Sequence, residues 1–179
     1  MSVDLSLDYF ALFGLPYRFR LDEEALDRAW HALQAEVHPD RHAHLPDSGQ
    51  RGAIAGALRV NEAYAVLKKP VTRARCLLEL AGVSQDAVNA RVPSPECLFE
   101  QLEWREAVEE ARKANDIDAL EQFALRLQIQ TDGIITYLAE QLDGRRDLEG
   151  AADTVQRLTF IDKLRLEIDN ALAAFDNYN

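Results

Sequence analysis

Cysteine is scarce: of 179 residues only Cys76 and Cys97 are cysteines, and they stand far apart. That excludes a disulfide framework, and since each falls within apolar helical sequence, the expected role is that of a small buried hydrophobe. The chain has no Cys-x-x-Cys pair, no glycine-rich phosphate loop, and no serine or cysteine in a nucleophile setting. Hydrolase and oxidoreductase readings therefore have nothing to rest on, and no enzymatic activity is expected. Long apolar runs are missing too, none approaching the roughly 20 residues a membrane helix needs. Residues 1–8 carry no positive charge, unlike a secretory or Arg-rich transit segment. The expectation is a soluble, cytoplasmic protein.

Positive charge is also in short supply. Residues 1–80 hold ten Lys and Arg against eleven Asp and Glu, while 81–179 hold ten against twenty, so nearly all of the net charge of −11 belongs to the second half. Nucleic acid and anionic membranes call for basic clusters and are not expected partners; a basic protein surface is. The composition, 47 % hydrophobic, is that of a folded chain with one or two domains.

Helical periodicity runs through most of it, and no segment has the alternation of a strand, so the fold class is all-α. Leu26, Trp30, Leu33 and Val37 form the stripe of a helix over about 23–37 capped by Asp22. Ala57, Val60, Tyr64 and Leu67 mark a second over about 50–69, stopped by Pro70. A short helical segment, 8–15, precedes this hairpin, and another, about 71–82, ends at a glycine. Periodicity breaks over 83–95, the expected joint between domains. Long amphipathic segments follow over about 95–114, 117–142 and 149–176, and their short connections imply an antiparallel three-helix bundle. The expected layout is a domain over 1–82, a linker over 83–94 and a bundle over 95–179.

One stretch inside the hairpin stands apart. His38-Pro39-Asp40 opens an aperiodic loop of about a dozen residues, a length more often functional than merely connective. Pro39 disfavours helical backbone at His38, placing it at a helix exit. Asp40 offers a carboxylate to a cationic group, and His38 a ring that donates and accepts. With the N-terminal Tyr9-Phe10-Ala11-Leu12-Phe13-Gly14-Leu15 and the later Asn61-Glu62-Ala63-Tyr64, this loop resembles that of a J-domain. The resemblance implies that His38, Pro39 and Asp40 stimulate ATP hydrolysis by a DnaK-type chaperone. J-domains commonly present a basic surface on the helix before this loop; here it holds few basic residues, Arg28 and, beyond its end, Arg41. A rival reading makes His38, Asp40, His42 and His44 metal ligands, but apart from Leu45 the loop has little apolar anchoring to fix such a site.

The segment over 95–114 raises a second question. At about 100° per residue, Cys97, Trp104, Val108 and Ala111 share one sector, the face to bury. Leu98, Phe99 and Leu102 point largely the other way, among Glu103, Glu106 and Glu109. A second helix packed there would account for them, and so would a protein-binding site, since apolar patches with charged rims mark such sites. Together, Leu98 to Glu106, Ala151 to Leu164 and the Pro70 to Leu78 run resemble the HscB family, the J-proteins of iron–sulfur cluster assembly, over essentially the whole chain. That resemblance implies that the bundle binds an IscU-type scaffold through Leu98, Phe99, Leu102, Glu103, Glu106, Glu110 and Phe160. It further implies that the protein delivers the scaffold to an HscA-type chaperone, with neither cofactor nor resident metal. Phe160 lies about 100° from the centre of the Ile161, Leu164, Ile168 stripe, so a packing role is open to it as well. Phe99 stands where methionine would also be at home. Eukaryotic relatives carry an N-terminal metal-binding cysteine pair, and its absence favours a bacterial-type protein.

Overall fold

Aspartate and serine caps set where most helices begin. In the computed structural model the described residues are 4, 6–38 and 47–176, with the side chains of 47, 48 and 176 left aside. They are almost entirely helical, with no strand among them, and the chain divides into two compact units, Met1–Leu77 and Leu78–Asn179.

In the first unit, α1 (Tyr9–Phe13) starts at Asp8, whose carboxylate accepts from the amides of Phe10 and Ala11, and ends at Gly14. Gly14 adopts φ 64°, a left-handed conformation that suits a residue without Cβ. The chain continues into α2 (Glu23–Val37), with Asp22 accepting from the Ala25 amide, as its position suggests. Then come α3 (Asp47–Lys68), which begins a turn earlier than periodicity predicts, and α4 (Pro70–Leu80). Phe10, Phe13, Leu26, Val60, Ala63 and Leu67 form the core, with Trp30, Leu33 and Tyr64 packed against it.

Polar contacts fix the α2–α3 hairpin along its flank. Trp30 stacks on Tyr64 at 4.8 Å between ring centres, and the indole N–H and Gln34 both donate to the Asn61 carbonyl. Asp27 accepts from the Tyr64 hydroxyl at 2.9 Å and from the Lys68 ammonium at 2.8 Å. The last carbonyls of α3, which lack helical partners, are met from α4. Thr72 donates to the Val66 carbonyl and Arg73 to those of Leu67 and Lys68. Arg73 is only 5 % exposed and also holds the Phe19 carbonyl at 2.8 Å.

The second unit is built around α6 (Pro95–Ala114), α7 (Ile117–Ala139) and α8 (Leu148–Asp176), which pack on one another. Val108, Leu120, Phe123, Leu127, Ile161, Leu164 and Ile168 form its core, and Val108 and the Ile161, Leu164, Ile168 stripe stand where the sequence places them. Two local features differ from that reading. Residues 83–94 were expected to be aperiodic linker, yet α5 (Gln85–Asn89) forms there, capped by Ser84. It is bound to α8: Val88 is fully buried, Gln156 donates to its carbonyl, and Arg91 pairs with Glu149 and Asp153. The second difference is at the end of α7, where the helix widens into a π-helical turn, Glu140–Arg145. The wider turn buries Gln141, whose amide group links the Asp147 carboxylate to the Thr154 hydroxyl.

Candidate functional site

Two surfaces carry the residues singled out by the sequence. The first is at the end of α2. His38 is its C-cap, with ψ 127° turning the chain out of the helix, as the following proline requires, and it is exposed. Pro39 and Asp40 lie outside the described residues, as do His42 and His44. The outward side of α2 leading to His38 is acidic in net terms: its one arginine, Arg28, stands against exposed Glu23, Glu24 and Glu36 and is itself drawn to Glu24 at 3.5 Å and Asp22 at 3.9 Å. His31 is exposed beside the Trp30 ring. Among the described residues no three His, Cys, Asp or Glu side chains converge to hold a metal ion.

The second surface is on α6. Its inner face carries Val108, which is 4 % exposed, with Trp104 and Ala111 packed on the core. Among the described residues of this unit no helix covers the opposite face: Leu98 is 45 %, Phe99 63 % and Leu102 54 % exposed. A second covering helix from the described part of the bundle, one of the two readings open at the sequence level, is thereby excluded. Glu103, Glu106 and Glu110 are exposed around this patch, whereas Glu109 is engaged by Arg112 at 3.1 Å and Lys113 at 3.5 Å. Phe160 is half-buried on α8 and meets α6 just past Leu102, stacked on Trp104 at 6.4 Å with the Arg105 guanidinium over its ring at 5.6 Å. It therefore packs on the core and also borders the exposed strip.

A polar cluster behind the patch was not anticipated. Arg157 donates to Glu100 at 2.8 Å and to Gln130 at 3.4 Å, joining α8 to α6 and α7. A sequence signal existed, because Arg157 stands four residues before Ile161 and so continues the core stripe of α8 with a charged residue.

A helical hairpin whose first helix ends at His38, in the sequence His-Pro-Asp, followed by a helical bundle with an exposed apolar face, defines a two-unit J-protein. Comparison with known proteins narrows the class. The family described as HSCB C-terminal oligomerisation domain matches residues 93–169. A co-chaperone protein HscB homolog of Azoarcus sp. (strain BH72) is 55 % identical over 177 residues, covering 99 % of this chain and 100 % of that one. The homolog of Aromatoleum aromaticum is 49 % identical over 98 % of this chain and 99 % of its own. Among solved structures, chaperone HscB from Vibrio cholerae superposes with a TM-score of 0.80 at 34 % identity, over 92 % of this chain and 96 % of that one. Human co-chaperone protein HscB shares the fold, with a TM-score of 0.85 at 22 % identity, over 93 % of this chain and 82 % of its own. The chain belongs to the HscB co-chaperone family.

Proposed function

We propose that the protein is an adaptor in iron–sulfur cluster assembly that delivers an IscU-type scaffold to an HscA-type chaperone and stimulates the chaperone's ATP hydrolysis. The observation that carries this reading is the uncovered strip of Leu98, Phe99 and Leu102 on a helix whose other face is core. Apolar side chains at the centre of such a patch supply the desolvation energy, and Glu103, Glu106 and Glu110 favour a scaffold with a complementary basic surface. Phe160 contributes at the edge. In the first unit His38, with Pro39 and Asp40, engages the chaperone, and the work there is recognition with no covalent step by this chain. Holding both partners on one molecule raises the effective concentration of scaffold at the chaperone. Such an adaptor works in the cytoplasm, and no described helix is long and apolar enough to cross a membrane.

Steady-state ATP hydrolysis by the cognate chaperone tests the reading, measured with this protein, the scaffold, both and neither. Stimulation by this protein that rises further when the scaffold is added is the expected outcome. Stimulation indifferent to the scaffold would mean that the bundle serves another client, and no stimulation would remove the chaperone from the account.

A further inference from the structure

The apolar core of the bundle stops short of the patch-bearing end of α6. Trp104 is the last side chain of that helix, toward its N-terminus, packed on the core, where it meets the cluster that contains Ile161 of α8. One turn further the stripes continue with Glu100 and Arg157, four residues before each, and α7 contributes Gln130. The contact between α6 and α8 is thus polar at this level, although α8 itself stays buried beside it through Leu158 and Val155. Beyond it lies a cavity of about 400 Å³ lined by residues that include Arg91, Pro93, Cys97, Asp153 and Arg157. Between Pro95 and Glu103 no side chain of α6 is fully buried, so apolar packing does little to fix how this span is rotated about its axis. Glu100 is two residues from both Leu98 and Leu102, about 200° around the helix and so nearly opposite each of them. Drawing Glu100 inward turns both leucines outward.

We infer that Arg157 is a positioning residue: its ion pair with Glu100 sets the rotation of the first turns of α6 and so preorganises the docking strip for the partner. Two observations support that role over one in stability. Arg157 Nε is sealed from solvent without an acceptor among the described residues, a poor arrangement for stabilisation. Half-buried ion pairs also contribute little net stability against apolar replacements while favouring one register of packing. The inference rests on the proposed scaffold-binding role of the strip, and a preorganised strip binds more tightly because less is spent on ordering it.

The test is calorimetric affinity for an IscU-type scaffold, with melting temperature measured in parallel, for Arg157→Gln, Glu100→Gln, their double variant, an apolar pair Glu100→Leu/Arg157→Leu, and Leu98→Ala. Each single glutamine variant is expected to bind roughly tenfold more weakly and the double variant no worse than either, the signature of one shared interaction. The apolar pair is expected to melt no lower than the native protein yet still lose affinity roughly tenfold, because greasy replacements keep the packing but not the rotation. Binding by the apolar pair within about twofold of native, or additive losses in the double variant, would overturn the inference. So would glutamine variants that bind normally while Leu98→Ala binds poorly. If Leu98→Ala also binds normally, the strip is not the scaffold site, and it is that reading which falls.

Discussion

Arg73 gives the clearest residue-scale case of a charge used as a strut. Its guanidinium reaches the carbonyls of Leu67, Lys68 and Phe19, two at the end of α3 and one in the loop before α2. A helix C-terminus carries partial negative charge and unmet acceptors, and a buried cation with several donors answers both. Glu23 lies 3.9 Å away, and the Phe19 ring is 5.6 Å from the guanidinium carbon. Removing the side chain strands acceptors that solvent reaches poorly, so Arg73→Ala is expected to lower unfolding free energy by about 3 kcal/mol. Urea denaturation followed by circular dichroism measures this, and a loss near zero would mean that water replaces the guanidinium. Nothing in the local sequence announces the strut, because an arginine in a helix is ordinarily exposed. The buried neighbours Val71, Ala74 and Leu78 are what place it inside.

At the scale of elements, α2 and α3 are joined by a clasp that is sensitive to pH. The Lys68 ammonium, and then the Tyr64 hydroxyl, hold the Asp27 carboxyl below the usual carboxylate range, and the same bond to Asp27 holds Lys68 above the usual lysine range. A depressed carboxyl contributes stability that is fully present above its unfolded-state value and is lost as pH falls through the folded one, hence below about pH 4. A raised ammonium contributes stability that is present below its unfolded-state value and is lost as pH rises through the folded one, hence in strong alkali. Between these limits the clasp is intact. The native urea midpoint is therefore expected to fall from pH 7 to pH 3 by more than that of Asp27→Asn, and equal slopes would show that the clasp adds nothing. The long elements were legible in advance because their apolar periods are long: α2 and α8 follow their stripes closely. Five-residue α5 spans too little sequence for a period, and only Ser84 hints at it. The patch on α6 was half legible, since rotation arithmetic separates Leu98, Phe99 and Leu102 from the core face. Whether another helix covers them depends on where α7 and α8 lie, which no single helix encodes.

For the whole molecule, the proposed adaptor depends on both binding functions belonging to one chain. Substituting His38→Gln removes the exposed ring at the C-terminal end of α2 and leaves the bundle untouched. The pair Leu98→Ala with Leu102→Ala removes exposed apolar surface from α6 and leaves the core intact, because both leucines are about half exposed. The first variant is expected to bind scaffold normally but to give no ATPase stimulation, and the second to stimulate the chaperone without the added effect of scaffold. Mixing the two variants then separates tethering from simple coexistence. If the chain raises the local concentration of scaffold at the chaperone, a mixture supplying each function on a different molecule cannot restore scaffold-dependent stimulation, because scaffold bound to one variant gains no proximity from the other. Stimulation in the mixture is therefore expected to equal that of the leucine variant alone, in a steady-state ATPase assay at sub-saturating scaffold. Recovery to the native level would mean that the two surfaces act independently, and raising the scaffold to saturation should shrink the difference in any case, since effective concentration matters only while the site is unfilled. Melting curves on both variants belong with this assay, since a variant that unfolds loses function without bearing on tethering.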